Sequence, residues 1–245
     1  MSKTAGLLTT LGVEAGDRVG IFATNSIECV EAIFGAAFVG ATIVPMNFRA
    51  GAEEAAHLMS DSGVKVLFTE SRYRDLVDEN RPDSVEQVFM LDEDDSYAQA
   101  RDEAFELPVP EDVDPDGLCA LLYTSGTTSL PKGVKLTNGA ITGYVMGTND
   151  AATGEDMGKM ALAAPLYQIA GVTSMLHALY SGRVEVLLPH RNPEEAPEGS
   201  IVPRCGVQPP IPAATASGIR SETTGCPRPE PTLCPQLHRL GEPLG

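Results

Sequence analysis

From residue 17 to about residue 189 the chain alternates short apolar runs with stretches whose apolar residues recur at helical spacing. No other feature limits the fold as tightly, because strands alternating with helices predict an α/β sheet that is largely parallel. "DRVGIFA", "TIVPM", "VKVLFTE" and "VEQVFMLDE" read as strands, and "SIECVEAIFGAAFVGA", "GAEEAAHLMSDSG" and "SRYRDLVDE" as the helices between them, the second ending at Gly63. Further on, "LCALLYT", "KMALAAPLY" and "VEVLLP" predict three more strands, and "TNGAITGYVMGTND" and "GVTSMLHALYSG" two more helices. The expected class is α/β, with largely parallel sheets flanked by helices.

Two stretches break the pattern. Residues 92–116 hold eleven Asp or Glu against Arg101 alone, and read as a solvated connection. A calcium site is the alternative, but the spacing matches no calcium loop and Pro108, Pro110 and Pro115 interrupt it. Beyond Arg191 lie eleven of the nineteen prolines and three of the five cysteines, with no aromatic residue and no lysine. Such a segment builds little core, so the expected division is a folded unit over 1–190 and an irregular Pro-rich tail over 191–245. Cys205, Cys226, Cys234 and His238 offer zinc ligands in that tail, but no C-x-x-C occurs there.

The segment "YTSGTTSLPKGV" at the end of the apolar run 118–124 carries the most chemistry. Small residues admit close backbone approach, hydroxyls and N–H groups donate, and Lys132 adds positive charge, all of which suit a polyphosphate. At the C-terminal edge of a strand in an open α/β sheet, the segment sits where such folds bind ligands. It is not a Walker loop: counting from Gly126, the second glycine position is Pro131, and Gly133 follows the lysine. No G-x-G-x-x-G opens the first strand-to-helix turn either.

The formal net charge of -17 argues against a nucleic-acid partner, which requires a basic surface. No apolar run reaches the ~18 residues that span a bilayer, and "MSKTAGLLTT" lacks a secretory core, so a cytoplasmic location is expected. Five scattered cysteines form no disulfide framework and read as reduced thiols.

"YTSGTTSLPKGV" resembles, nearly residue for residue, the phosphate loop of the adenylate-forming superfamily of AMP-dependent synthetases and ligases, which includes the acyl-CoA synthetases. The resemblance continues through "GVEAGDRVGIFATNSIECVEAIFGAAFVGATIVPMNFR", "LMSDSGVKVLFTE" and "APLYQIAG", covering roughly residues 5 to 196 in the family's order. It implies part of that family's large N-terminal domain. It also implies that Thr124, Ser125, Gly126, Thr127, Thr128, Ser129 and Lys132 contact the β and γ phosphates of ATP, and that Tyr167, Gln168 and Gly171 line the substrate pocket. ATP, Mg2+, coenzyme A and a small-molecule carboxylate are the implied ligands. The family joins the carboxylate to ATP as an acyl-adenylate, releasing pyrophosphate, and a thiol then displaces AMP; "NFRAGAEEAAHLMSDSGVKVLF" looks most like the fatty-acid branch.

Three positions depart from the family's pattern. Ser129 replaces a common glycine, at a cost of about 1 kcal/mol if positive φ is required there. Asn138 and Gln168 each stand where many relatives carry histidine, and Gln168 cannot become cationic. His57 and His177 fall in helical text and read as packing or surface residues. The family's adenine motif, magnesium-associated glutamate, ribose-binding aspartate, hinge and catalytic lysine are not found in these 245 residues, so no catalytic residue or metal ligand is assigned. Both ends read as clipped, with self-association through uncovered sheet edges expected. Two functions stay open: an ATP-dependent carboxylate–CoA ligase, and a remnant or nucleotide-binding module without ligase activity.

Overall fold

The computed structural model describes residues 1–110, 113–124, 130–154 and 158–188. The tail expected over 191–245 and the centre of the phosphate loop, Ser125 to Ser129, lie outside the described residues.

A six-stranded sheet forms the body of the protein. Its order is β4 (Gln87–Met90), β3 (Val64–Thr69), β1 (Arg18–Phe22), β2 (Thr42–Pro45), β5 (Leu118–Thr124) and β6 (Lys132–Thr137). The first five run parallel and β6 runs antiparallel to β5. β7 (Lys159–Leu162) and β8 (Val184–Leu187) pair in parallel as a second, small sheet. The central strands β1, β2 and β3 are buried along nearly their whole length, as apolar runs covered on both faces must be.

On one face Ile21, Val66 and Phe68 pack with Leu8 of α1 (Ser2–Thr10) and with Ala32 and Ile33 of α2 (Ile27–Phe38). On the other, Phe22, Val44 and Leu67 pack with Leu58 and Met59 of α3 (Ala52–Ser62) and Val77 of α4 (Arg74–Asn80). Local signals set the helix ends. The Ser26 hydroxyl accepts from Cys29 N–H at 3.1 Å to start α2, and Gly63, at φ 65°, ends α3 in the left-handed conformation that glycine adopts without strain.

Two departures from the expected pattern have clear physical causes. The acidic connection is not wholly solvated: a π turn over Asp94–Ala98 leads into the short helix α5 (Gln99–Glu103). Tyr97, fully buried, anchors it edge-on to Phe68, and its hydroxyl meets Thr4 Oγ1 at 2.9 Å and donates to Glu31 Oε2 at 3.1 Å. Arg101 completes this network by bonding the same Glu31 oxygen at 2.7 Å. Counting charge concealed the one aromatic residue that docks the segment. The second departure is β6, which sequence periodicity left unassigned: "KGVKLT" gains strand geometry from pairing with β5.

Asn25, in the turn after β1, joins the two sheets. Its side-chain amide donates to Ala164 O at 3.0 Å, with Leu188 O and Leu162 O at 3.3 and 3.4 Å, and its carbonyl accepts from Leu166 N–H at 3.0 Å. Helix α7 (Ile169–Tyr180) follows this junction and puts Met175 into the first core cluster. Replacing Asn25 with Ala strands several buried backbone groups, and urea denaturation is expected to show a loss of about 2–3 kcal/mol.

Glu185 on β8 carries a buried Oε1 without a hydrogen-bond partner. Burial pushes its carboxyl up to about 7 from the usual 4.5. Between those values the folded protein holds a proton that the unfolded chain has released, so Glu185 makes stability fall as pH rises from about 4.5 through 7. Thermal melts of Glu185→Gln across that range should lack this component of the decline.

Candidate functional site

The parallel strands β1, β2, β3 and β5 all end at one edge of the large sheet, and the turns after them gather the polar and aromatic side chains. After β2 come buried Phe48 and exposed Arg49, whose guanidinium lies 5.4 Å from the Phe48 ring centre. After β3 comes Glu70, whose Oε1 accepts from Thr24 N–H at 3.0 Å and from the Thr24 hydroxyl. Arg72 pairs with Glu70, donates to Thr24 Oγ1 at 3.3 Å and covers the Tyr73 ring at 4.9 Å. Thr24 and Asn25 are thus both buried, Thr24 against Glu70 and Arg72 and Asn25 between the two sheets.

Thr124 closes β5 and Lys132 opens β6, and the two are partners in the β5–β6 register. β5 and β6 therefore form an antiparallel pair that flanks the phosphate segment, where apolar spacing predicts a strand followed by a helix. Both flanking residues are exposed, and among the described residues the Lys132 ammonium has no ion-pair or hydrogen-bond partner. With Arg49 and Arg72 it puts three cations at this edge of a chain whose net charge is -17. The remaining predicted contacts, Ser125, Gly126, Thr127, Thr128 and Ser129, lie outside the described residues.

Tyr167 and Gln168 come from the turn between β7 and α7, and Gly171 from the first turn of α7. Tyr167, partly buried, meets Phe48 edge-on at 5.4 Å, which brings the second sheet's turn to the cationic edge of the first. Gln168 sits at the N-cap of α7 with an exposed side chain that makes no capping bond, so its amide is free for other partners. Gly171 has a packing duty: a Cβ there would stand 2.1 Å from Pro165 O. Asn138, at the start of α6 (Asn138–Thr148), donates to Asp114 O at 3.0 Å and so fastens the chain just before β5.

The histidines divide. His177 stacks on Tyr144 at 5.5 Å beside the Thr148 hydroxyl, and burial holds its pKa below the ordinary range, in keeping with a packing residue. His57 lies against the hairpin instead, donating from Nε2 to Pro131 O at 3.0 Å. One turn along α3, Asp61 accepts from the Tyr123 hydroxyl at 2.6 Å, and burial with this carboxylate beside it raises the Tyr123 pKa. Their i, i+4 spacing was the only sign in the sequence that these two share a face. Cys29 is buried, with its thiol pushed up to about 12, so it is no nucleophile. Among the described residues no three His, Cys, Asp or Glu side chains converge on a metal-sized space, and no helix is long and apolar enough to cross a membrane.

This α/β fold, a mostly parallel sheet flanked by helices, matches the N-terminal domain of acyl-CoA synthetase-like structures. The chain belongs to the AMP-binding enzyme family, whose model matches residues 1–202. It is similar to the fatty acid–[acyl-carrier-protein] ligase ScoC of Streptomyces coeruleorubidus, 38% identical over 136 residues, which are 55% of this chain and 26% of that protein. It is also similar to the long-chain-fatty-acid–CoA ligase FadD13 of Mycobacterium tuberculosis, 29% identical over 191 residues, 77% of this chain and 38% of the relative. Among solved structures, ATP-bound MatB from Rhodopseudomonas palustris superposes with a TM-score of 0.71 at 25% identity, over 79% of this chain and 39% of that one. The chain spans about a quarter to two fifths of the length of the curated relatives it matches.

Replacing Gly171 with Ala forces the turn carrying Tyr167 and Gln168 away from α7. Chemical denaturation should register a loss of about 1–3 kcal/mol. Gly143→Ala in α6, where no atom lies within 4 Å of the added Cβ, should be neutral or stabilising by up to about 1 kcal/mol.

Proposed function

We propose that this chain supplies the ATP-phosphate and carboxylate sites of an ATP-dependent carboxylate–CoA ligase acting on a fatty acid. The observation that carries this reading is the register of the β5–β6 hairpin, which puts Thr124 and the uncommitted Lys132 on either side of the Ser/Thr/Gly turn at the sheet's ligand-binding edge. Membership of the AMP-binding family and the ligases among the relatives support the reaction class.

In this reading Thr124, the turn residues Ser125 to Ser129 and Lys132 hold the β and γ phosphates. Hydroxyl and ammonium donors then offset the charge that accumulates when an anionic carboxylate attacks the α phosphorus and pyrophosphate leaves. Mg2+ bound with the nucleotide as co-substrate would neutralise part of its charge. Tyr167, Gln168 and Gly171 border the acyl group. Gln168 orients the carboxylate by hydrogen bonding alone, since an amide carries no proton to transfer at neutral pH. Thioester formation follows when a coenzyme A thiol displaces AMP. The preference for a fatty acid rests on the similarity to the fatty-acid ligases ScoC and FadD13.

The purified chain, incubated with ATP, Mg2+ and a panel of fatty and aromatic acids, is expected to release pyrophosphate fastest with fatty acids and to melt at higher temperature when ATP is present. Lys132→Ala should weaken ATP binding by about tenfold or more, the loss of one charge-assisted contact. ATP-dependent stabilisation without pyrophosphate would identify a nucleotide-binding module instead, and absence of both signals would overturn the reading.

A further inference from the structure

The hairpin that carries the phosphate turn is weakly held by its own sheet. β5 is registered with β2 through the single pair Ile43↔Ala120, so beyond that point its last residues, Leu121 to Thr124, are laddered only to β6. β6 in turn is the outermost strand and has no neighbour on its far side among the described residues. A two-stranded ribbon of this kind twists and sways unless something else restrains it.

Helix α3 touches both stems. Asp61 takes the Tyr123 hydroxyl at 2.6 Å on the incoming stem, His57 donates to Pro131 O at 3.0 Å at the entrance to the outgoing one, and the His57 ring meets Tyr123 edge-on at 6.3 Å. The first grip lies one residue before Thr124 and the second one residue before Lys132, so the two bracket the ends of the stems. The helix is firmly seated: Ala55, Leu58 and Met59 are buried in the second core cluster, and Gly63 closes its end directly into β3. We propose that α3 acts as a clamp on the stems of the phosphate turn, with His57 and Asp61 as positioning residues that set where Thr124 and Lys132 stand relative to the sheet. The link to ATP rests on the function proposed above; the clamp itself rests on geometry alone.

Amide hydrogen exchange of the full chain without nucleotide, together with calorimetric titration with MgATP, tests both parts. In the double variant His57→Ala, Asp61→Ala, exchange at residues 121–123 and 132–135 should accelerate about tenfold, the scale of one lost hydrogen bond, while β1 and β3 keep wild-type rates. ATP affinity should fall by a similar factor. His57→Gln with Asp61→Asn keeps a donor and an acceptor in place and should restore both readouts to within about threefold of wild type.

Wild-type exchange at the stems in the alanine variant, or acceleration spread equally through β1 and β3, would overturn the clamp. If wild type binds no ATP yet the stems loosen locally in the alanine variant, the clamp stands and the phosphate reading falls. If ATP binds wild type and the alanine variant equally, the positioning role is wrong even where exchange changes.

Discussion

One buried amide holds this architecture together. Asn25 leaves the end of β1 and satisfies backbone groups at Leu162, Ala164, Leu166 and Leu188, which belong to the ends of β7 and β8 and the turn before α7. Apolar packing alone brings Leu162, Leu166 and Met175 against the α2 face of the large sheet, but apolar contact is not directional. A buried amide whose donors and acceptor all find partners in one arrangement specifies that arrangement, because any slip leaves several groups unpaired. Only with the two sheets held this way does Tyr167 reach Phe48, and only then do the turns of both sheets frame one site.

The electrostatics of the edge follow from the same placement. A chain with a net charge of -17 repels anions at long range, so recognition of a polyanion depends on local donors. Arg72 is partly neutralised by Glu70, and Arg49 lies over an aromatic ring, whereas the Lys132 ammonium is without a partner among the described residues. The hairpin therefore offers an uncompensated cation beside a turn rich in hydroxyl groups. The seating of that hairpin falls to α3, an element distant from it in sequence.

Much of the architecture was legible from periodicity. Among the described residues, seven of the eight strands and helices α2, α3, α4, α6 and α7 fall where apolar spacing placed them, since strands covered on both faces need continuous apolar runs and amphipathic helices need a stripe. β6 was missed because "KGVKLT" has no apolar run of its own and becomes a strand only by pairing. The helical turns within the acidic segment were missed because eleven carboxylates outweighed a single Tyr97, although burying one aromatic ring is enough to dock a short segment. At the site, Thr124 and Lys132 stand at the hairpin ends, while Gly171 proved to be fitted to Pro165 O.

By itself the sequence determined the class of fold and the family to which the chain belongs, because the one is written in local spacing and the other in one contiguous motif. Tertiary structure alone decided that an antiparallel strand pair flanks the motif, that Asn25 joins two sheets, and that His57 and Asp61 face the stems of that pair. The contacts of Asn25, His57 and Asp61 span residues 62 to 163 positions apart, and which distant groups meet is settled by the packing of whole layers rather than by any stretch of chain.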